Sequence, residues 1–200
     1  MGFSGHLVFA RSNRPLLDAP VFDGVDQEQK DAVHTWWPRE GGWQTLQFGN
    51  EIWEDDDLPA LVEWTGAPAC VAQVSESSLA LVTGLGTDGR RWQAWLNLHV
   101  AAPFLTEEPE DVDEVIYWVD TPEFHEAVGR TRAELDAQVP SDAAGALAWA
   151  AAACFAAAAS QSRIEELLRS EETFVEELFD DLLDALGSPA ATATPTAPQP

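Results

Sequence analysis

Residues 69–98 read ACVAQVSESSLALVTGLGTDGRRWQAWLNL, and the punctuation of this stretch decides the fold class. Three apolar segments are separated by Ser75-Glu76-Ser77-Ser78 and by Thr87-Asp88-Gly89-Arg90. Asp-Gly between two strand-like runs is a strong hairpin signal, because both residues tolerate the positive φ angles of turns that match strand twist. The spacing therefore predicts three consecutive antiparallel strands near residues 69–75, 79–86 and 91–98.

The same stretch contains Gly84-Leu85-Gly86-Thr87-Asp88-Gly89, which matches the dinucleotide-binding pattern letter for letter. That pattern works only where the glycines open a helix whose N-terminal amides receive a pyrophosphate. Here Arg90 to Leu96 alternates like a strand, so the glycines read as relief of turn and bulge strain in a hairpin.

Upstream, Gly5 to Arg11 has strand composition and Ser12-Asn13-Arg14-Pro15 reads as a turn. Asp26 with Gln29 three residues on resembles a capping box, opening a short helix through Ala32 and Val33 that ends before Pro38. Trp43 to Phe48 alternates, with Trp43, Thr45 and Gln47 on one face and Gln44, Leu46 and Phe48 on the other, which predicts a strand with one wet face. The acids 54–57 precede Leu58 to Trp64 and Gly66 follows, the arrangement of a helix with carboxylates at its positive end and Gly past its last turn.

Beyond residue 100 the chain changes character. Glu107 to Glu126 holds nine carboxylates and no Lys or Arg, around a strand-like Val115-Ile116-Tyr117-Trp118-Val119. Thr121-Pro122-Glu123 reads as the start of a short helix ending near Gly129, and Thr131 to Glu134 repeats the capping-box spacing. Positions 143–159 hold twelve Ala and no charge, long enough for a membrane span by length alone. Ala is scarcely hydrophobic and the following residues are acidic and amphipathic, so the run predicts a long, closely packed helix from Ser141 to about Arg169. A last helix, capped by Ser170, carries Val175, Leu178, Phe179, Leu182, Leu183 and Leu186 on one stripe, with Glu176, Glu177, Asp180, Asp181 and Asp184 opposite. Gly187 closes it, and the Pro/Ala/Thr-rich residues 188–200 cannot bury enough apolar surface to order.

Strands first and helices afterwards argue an α+β fold. The expectation is one domain over residues 1–187: a mostly antiparallel sheet of about five strands, mainly within 1–100, covered on one face by C-terminal helices, mainly within 121–187, including the long Ala-rich one. Residues 188–200 are expected to form a disordered tail.

The formal net charge is -25, from 35 acidic and 10 basic residues, with 21 of the acids and 4 of the bases in the second half. Such a surface repels phosphate backbones and anionic membranes, which argues against direct nucleic-acid or membrane binding. The charge reads equally as adaptation for solubility or salt, since the chain has one Lys (Lys30) and much Ala. Cys70 and Cys154 read as two buried free thiols of a reducing cytoplasm, with no secretory pattern at the N-terminus.

No metal or cofactor is expected. An EF-hand register from Asp55 puts Ala60 at the obligatory Gly and Gly66 at the bidentate Glu, and one from Asp111 puts Ile116 at the Gly. His6, His34, His99 and His125 are scattered without ligand spacing, and no nucleophile elbow, Walker loop or kinase signature occurs. No residue can be named as catalytic, and the sequence leans away from an enzyme.

Two functional expectations remain. The first is a non-catalytic, immunity-like or adaptor protein that presents Glu176, Glu177, Asp180, Asp181 and Asp184 to a basic protein partner. Like charges at i,i+4 destabilise the isolated helix and crowd its negative end, costs that a cationic surface would relieve. The alternative is a small-molecule-binding domain or enzyme with a pocket between sheet and helices. Some of Trp36, Trp37, Trp43, Trp53, Trp64, Trp92 and Trp95 would line it, although core packing is the commoner fate of Trp.

Overall fold

The computed structural model of the chain describes residues 2–31, 33, 35–54, 56–107, 118–119, 121–156 and 159–190, with the side chains of 35–37 left aside. Its centre is strand β1 (Gly5–Arg11), buried at every position but the last. A strand hidden on both faces reads as an apolar run, which is why His6 to Ala10 lacks alternation. Strand β2 is Thr35–Pro38 and strand β3 is Trp43–Gly49. The meander that follows is β4 (Ala69–Ser75), β5 (Leu79–Leu85) and β6 (Arg91–Leu96). The sheet order is β2-β3-β1-β4-β5-β6 and every pairing is antiparallel. In register, Val8 of β1 lies between Leu46 and Val71.

The molecule is thus α+β with an antiparallel sheet, as the sequence indicates. Its strand count is six. The addition, β2, is an edge strand ending in Pro38, a place where a missing backbone N–H costs no ladder bond. The helix before it, α1 (Gln27–Asp31), is shorter than expected but carries its capping box. Asp26 Oδ1 accepts from the Gln29 N–H at 2.8 Å, and Gln29 Oε1 accepts from the Asp26 N–H at 3.2 Å.

Helices cover both sheet faces, where one covered face was expected. On the first, Leu7, Phe9, Trp43, Ala72, Val82 and Trp92 meet the C-terminal helices. On the second, Val8, Leu46, Phe48 and Val71 meet helix α2 (Asp57–Thr65) and the short 3-10 turns of Leu16 and Phe22. Both faces of β3 are therefore covered, with Gln47 half-buried, in place of the one wet face expected for Trp43 to Phe48. Gln44 shows how its polar group survives burial: its amide donates to the Ser12 and Arg14 carbonyls, and its oxygen accepts from the Leu16 N–H. Cover on this second face stops short of β6, where Arg91 and Gln93 stay exposed.

The C-terminal half departs further from expectation. A short helix α3 (Leu98–Leu105) follows β6, starting on the last residue read as strand and running over residues for which the sequence predicts no element. Helix α4 then runs unbroken over Pro122–Ala152, merging the short helix, the second capping box and most of the Ala run. Thr121 caps it, accepting from the Phe124 N–H at 3.1 Å. Gly129 costs a helix interior about 1 kcal/mol, less than the gain from burying Leu135, Val139, Ala146 and Trp149 along one side. Pro140 removes the N–H that would satisfy the Asp136 carbonyl. Arg169 replaces it, donating from Nη2 to that carbonyl at 3.4 Å and from Nε to the Asp136 carboxylate at 2.7 Å.

Instead of continuing to Arg169, α4 stops in a Schellman turn. The Phe155 N–H donates to the Ala150 carbonyl and the Cys154 N–H to the Ala151 carbonyl, both at 3.0 Å, with Cys154 left-handed at φ 63°. Alanine offers no side chain with which to pull the helix onward. Phe155 pulls it back, packing 4.7 Å from the Trp43 ring. Cys154 is exposed at this turn and Cys70 alone is buried, which corrects the expectation of two buried thiols.

Helix α5 is Gln161–Arg169, capped by Ser160, and helix α6 is Val175–Ala185. Ser170 ends α5 instead of opening α6, its hydroxyl donating to the Leu167 carbonyl. The apolar stripe of α6 is buried as its periodicity requires, and Gly187 closes it at φ 86°. Among the described residues no helix is long and apolar enough to cross a membrane. The strand read at Val115 to Val119 lies mostly outside the described residues. So does the tail beyond Ala190.

Candidate functional site

Five carboxylates on α6 were singled out from sequence, and the fold separates them. Val175 to Leu186 must face the sheet, so Glu177 and Asp181 point outward and are exposed, with no ion pair among the described residues. Asp180 and Asp184 flank a cation that sequence reasoning missed. Arg39, whose side chain is 5% exposed, reaches Asp180 at 3.1 Å and Asp184 at 3.7 Å. It also donates to Ser188 Oγ at 3.3 Å and to the Pro189 carbonyl at 3.0 Å, and its guanidinium lies over the Phe9 ring. Glu176 accepts from Ser77 Oγ at 2.7 Å. Part of the expected repulsion is thus relieved from within, and the first residues of the tail are tied down.

The relief is incomplete, because one guanidinium serves both Asp180 and Asp184 while a third aspartate, Asp181, lies beside Asp180. Burial pushes the Asp180 carboxyl up, Arg39 pulls it down, and Asp184 and Asp181 push it up again, leaving it above its ordinary range. Burial also pushes the Cys70 thiol far up despite the nearby Arg39, which keeps it neutral and unreactive. The signal for Arg39 in the sequence was scarcity: with ten basic residues in 200, each is a candidate partner for a carboxylate.

The loop leading into α6 is the second feature that sequence missed. Asn97, 1% exposed and left-handed at φ 58°, donates from Nδ2 to the carbonyls of Ser78 at 2.7 Å and Glu172 at 2.9 Å. Its Oδ1 accepts from the Glu172 N–H at 3.0 Å. The Val175 N–H donates to the Ser77 carbonyl at 2.8 Å. Between these clamps Phe174 stands 53% exposed, with Glu171, Glu172 and Glu177 exposed around it in sequence. Phe104 and Phe174 are the two exposed phenylalanines among the described residues.

Among the described residues the tryptophans serve mainly as core, and the side chains of the candidates Trp36 and Trp37 lie outside those described. Trp43 stacks on Phe9 at 4.7 Å, Trp53 packs with Phe22 and Phe48, and Arg14 lies over Trp64. Trp149 of α4, which was not among the candidates, donates from Nε1 to the Ala69 and Leu85 carbonyls and joins helix to sheet. Trp92 lies flat over Gly84, where any Cβ would strike the indole, and Gly145 lets α4 come down onto its Cβ. That close approach explains two glycines without a nucleotide. At the end of the β5–β6 hairpin, Trp92, Trp149, Ala148, Gly145 and Arg91 border a cleft of about 280 Å³.

A second cavity, about 270 Å³, lies on the part of the sheet that α2 leaves uncovered, between Trp53, Gln73, Leu81, Thr83, Arg91 and Gln93. Among the described residues, no group of three or more His, Cys, Asp or Glu side chains is placed to hold a metal ion. No family model matches the chain, and neither a curated protein nor a solved structure shows significant similarity to it.

Proposed function

We propose that this chain is a non-catalytic interaction protein that presents a carboxylate surface with an aromatic anchor to a basic protein partner. The observation that carries the reading is Phe174, half exposed among carboxylates on a loop held by Asn97 and Ser77. Exposed aromatics on rigid backbone are the usual energetic centres of interfaces, because little conformational entropy is lost when they dock. Surrounding carboxylates steer a cationic partner and reject acidic ones. In this arrangement Glu177 and Asp181 meet the partner directly, whereas Glu176, Asp180 and Asp184 divide between the partner and their internal contacts.

Affinity capture with wild-type protein, Phe174→Ala and the double variant Glu177→Lys/Asp181→Lys tests the reading. A basic protein retained by the wild type, weakened by rising salt and lost with either variant is the expected outcome. Equal retention by all three proteins would refute it.

A second reading has its own observation. The hairpin cleft places Trp92 and Trp149 side by side at 6.2 Å, and Trp92 Nε1 is buried without a hydrogen-bond partner among the described residues. A small apolar ligand there would change Trp emission, and a flat fluorescence response across a metabolite panel would remove this reading.

A further inference from the structure

The uncovered part of the sheet is built unlike the rest of the surface. On β4, β5 and β6 the side chains that alternate away from the C-terminal helices are Gln73, Leu81, Thr83, Arg91 and Gln93, and they converge on the 270 Å³ groove beside α2 and Trp53. Six of the nine arginines pair with carboxylates: Arg39, Arg90, Arg130, Arg132, Arg163 and Arg169. Arg11 donates to the Gly41 carbonyl and Arg14 lies on Trp64. Among the described residues Arg91 alone has no such partner, and no Asp or Glu lines this groove. In a chain with 35 acids, a cation with no ion pair among the described residues is the exception that asks for a ligand.

We propose that this groove binds a small monocarboxylate with a flat apolar body. The guanidinium offers a planar fork of N–H donors that matches a carboxylate. The Gln73 side chain has no hydrogen bond among the described residues and supplies a further amide donor. Gln93 Nε2 already donates to Thr83 Oγ1 at 3.0 Å, which leaves the Thr83 hydroxyl hydrogen to donate. Leu81 and Trp53 form the apolar floor and wall. The field of the whole molecule selects among anions: at a net charge of -25 each added negative charge on the ligand is repelled, so a monoanion fits and a phosphate dianion does not.

Ligand-detected NMR titration of the full chain with 3-phenylpropionate and with its neutral amide, 3-phenylpropanamide, tests the proposal. Saturable binding of the carboxylate is expected, about tenfold tighter than the amide. Arg91→Gln should weaken the carboxylate at least as much and leave the amide unchanged, with Arg11→Gln behaving as wild type. Gln73→Glu, which keeps the side-chain length and places a negative charge in the groove, should also remove carboxylate binding. Far-UV circular dichroism confirms that each variant is folded. No saturable carboxylate binding to the wild type, equal affinity for acid and amide, or unchanged affinity in Arg91→Gln or Gln73→Glu would overturn the proposal.

Discussion

Replacing Asn97 by alanine should destabilise the protein more than any surface change of similar size. The side chain is buried and makes three hydrogen bonds: Nδ2 donates to the Ser78 and Glu172 carbonyls, and Oδ1 accepts from the Glu172 N–H. A neutral hydrogen bond contributes about 1 kcal/mol net, and buried groups left unpaired cost at least that much. The backbone at φ 58° and ψ 59° adds about 1 kcal/mol for a residue with a Cβ and no local hydrogen bond. Asn97→Ala should therefore cost about 4 kcal/mol and Asn97→Gly, which accepts the left-handed backbone, about 3 kcal/mol. At about 2–4 °C per kcal/mol for a chain of this size, alanine should lower Tm by roughly 8–16 °C. Urea unfolding followed by circular dichroism gives the free energies, and hydrogen exchange at the Glu172 and Val175 amides reports the order of the loop. A loss below about 1 kcal/mol for alanine, or glycine costing more than alanine, would refute the clamp as described.

Three further outcomes follow from the same reasoning. Arg39→Met removes a buried cation whose acidic partners are more than half exposed, so its cost should be about 1–2 kcal/mol, well short of a fully buried pair. An NMR titration of that variant should find Asp180 titrating higher still, since the one group that lowers it is gone. Cys154→Gly should stabilise by about 0.5–1 kcal/mol, because the Schellman turn holds position 154 left-handed and glycine adopts that conformation freely, which thermal unfolding under reducing conditions can measure. Burial raises the Asp142 carboxyl from 3.8 to about 6. A carboxyl that holds its proton more tightly when folded destabilises the native state above its folded pKa, so stability relative to Asp142→Asn should rise as pH falls from about 7 through about 6 and level off near the unfolded value. Discounted for the solvent it keeps, the difference is about 1 kcal/mol, and parallel pH profiles of the two proteins would contradict it.

What could be read in the sequence were the elements whose signals are local. The β4–β5–β6 meander is marked by two short polar turns, one of them Asp-Gly, between apolar runs, and α6 by an apolar stripe with a single way to face a core. Elsewhere tertiary context decides. Gly129 reads as a helix end, yet α4 passes through it and through Pro140, where Arg169, 33 residues away in sequence from Asp136, satisfies the carbonyl that Pro140 leaves bare. Nothing within a helical window can announce such a partner. The Ala run failed in the opposite direction: high propensity predicts continuation, whereas a single Phe155 seated against Trp43 decides the stop. The second covered face was hidden because Gln44, a polar residue in an alternating run, is buried with its amide satisfied by the Ser12 and Arg14 carbonyls and the Leu16 N–H.

The candidate surface was half legible for the same physical cause. The acidic face of α6 is written in its periodicity, but which of its carboxylates are available depends on Arg39, and the sequence distance between positions 39 and 180 carries no hint that they meet. Nor does Asn97 stand out, being one polar residue after a strand; its weight comes from joining the β4–β5 turn to the start of α6 through Ser78 and Glu172. Both residues act through the sheet order. Because β3, bearing Arg39 before it, and the β4–β5 turn lie on either side of β1, the two ends of α6 are fixed by different strands: Arg39 at its C-terminal half and Ser77 with Asn97 at its start. A helix pinned at both ends cannot rotate to hide Phe174 or to share out its surplus charge. That is why the outward carboxylates Glu177 and Asp181 stay presented, and a cationic partner of the kind proposed would relieve their repulsion without first reshaping the helix.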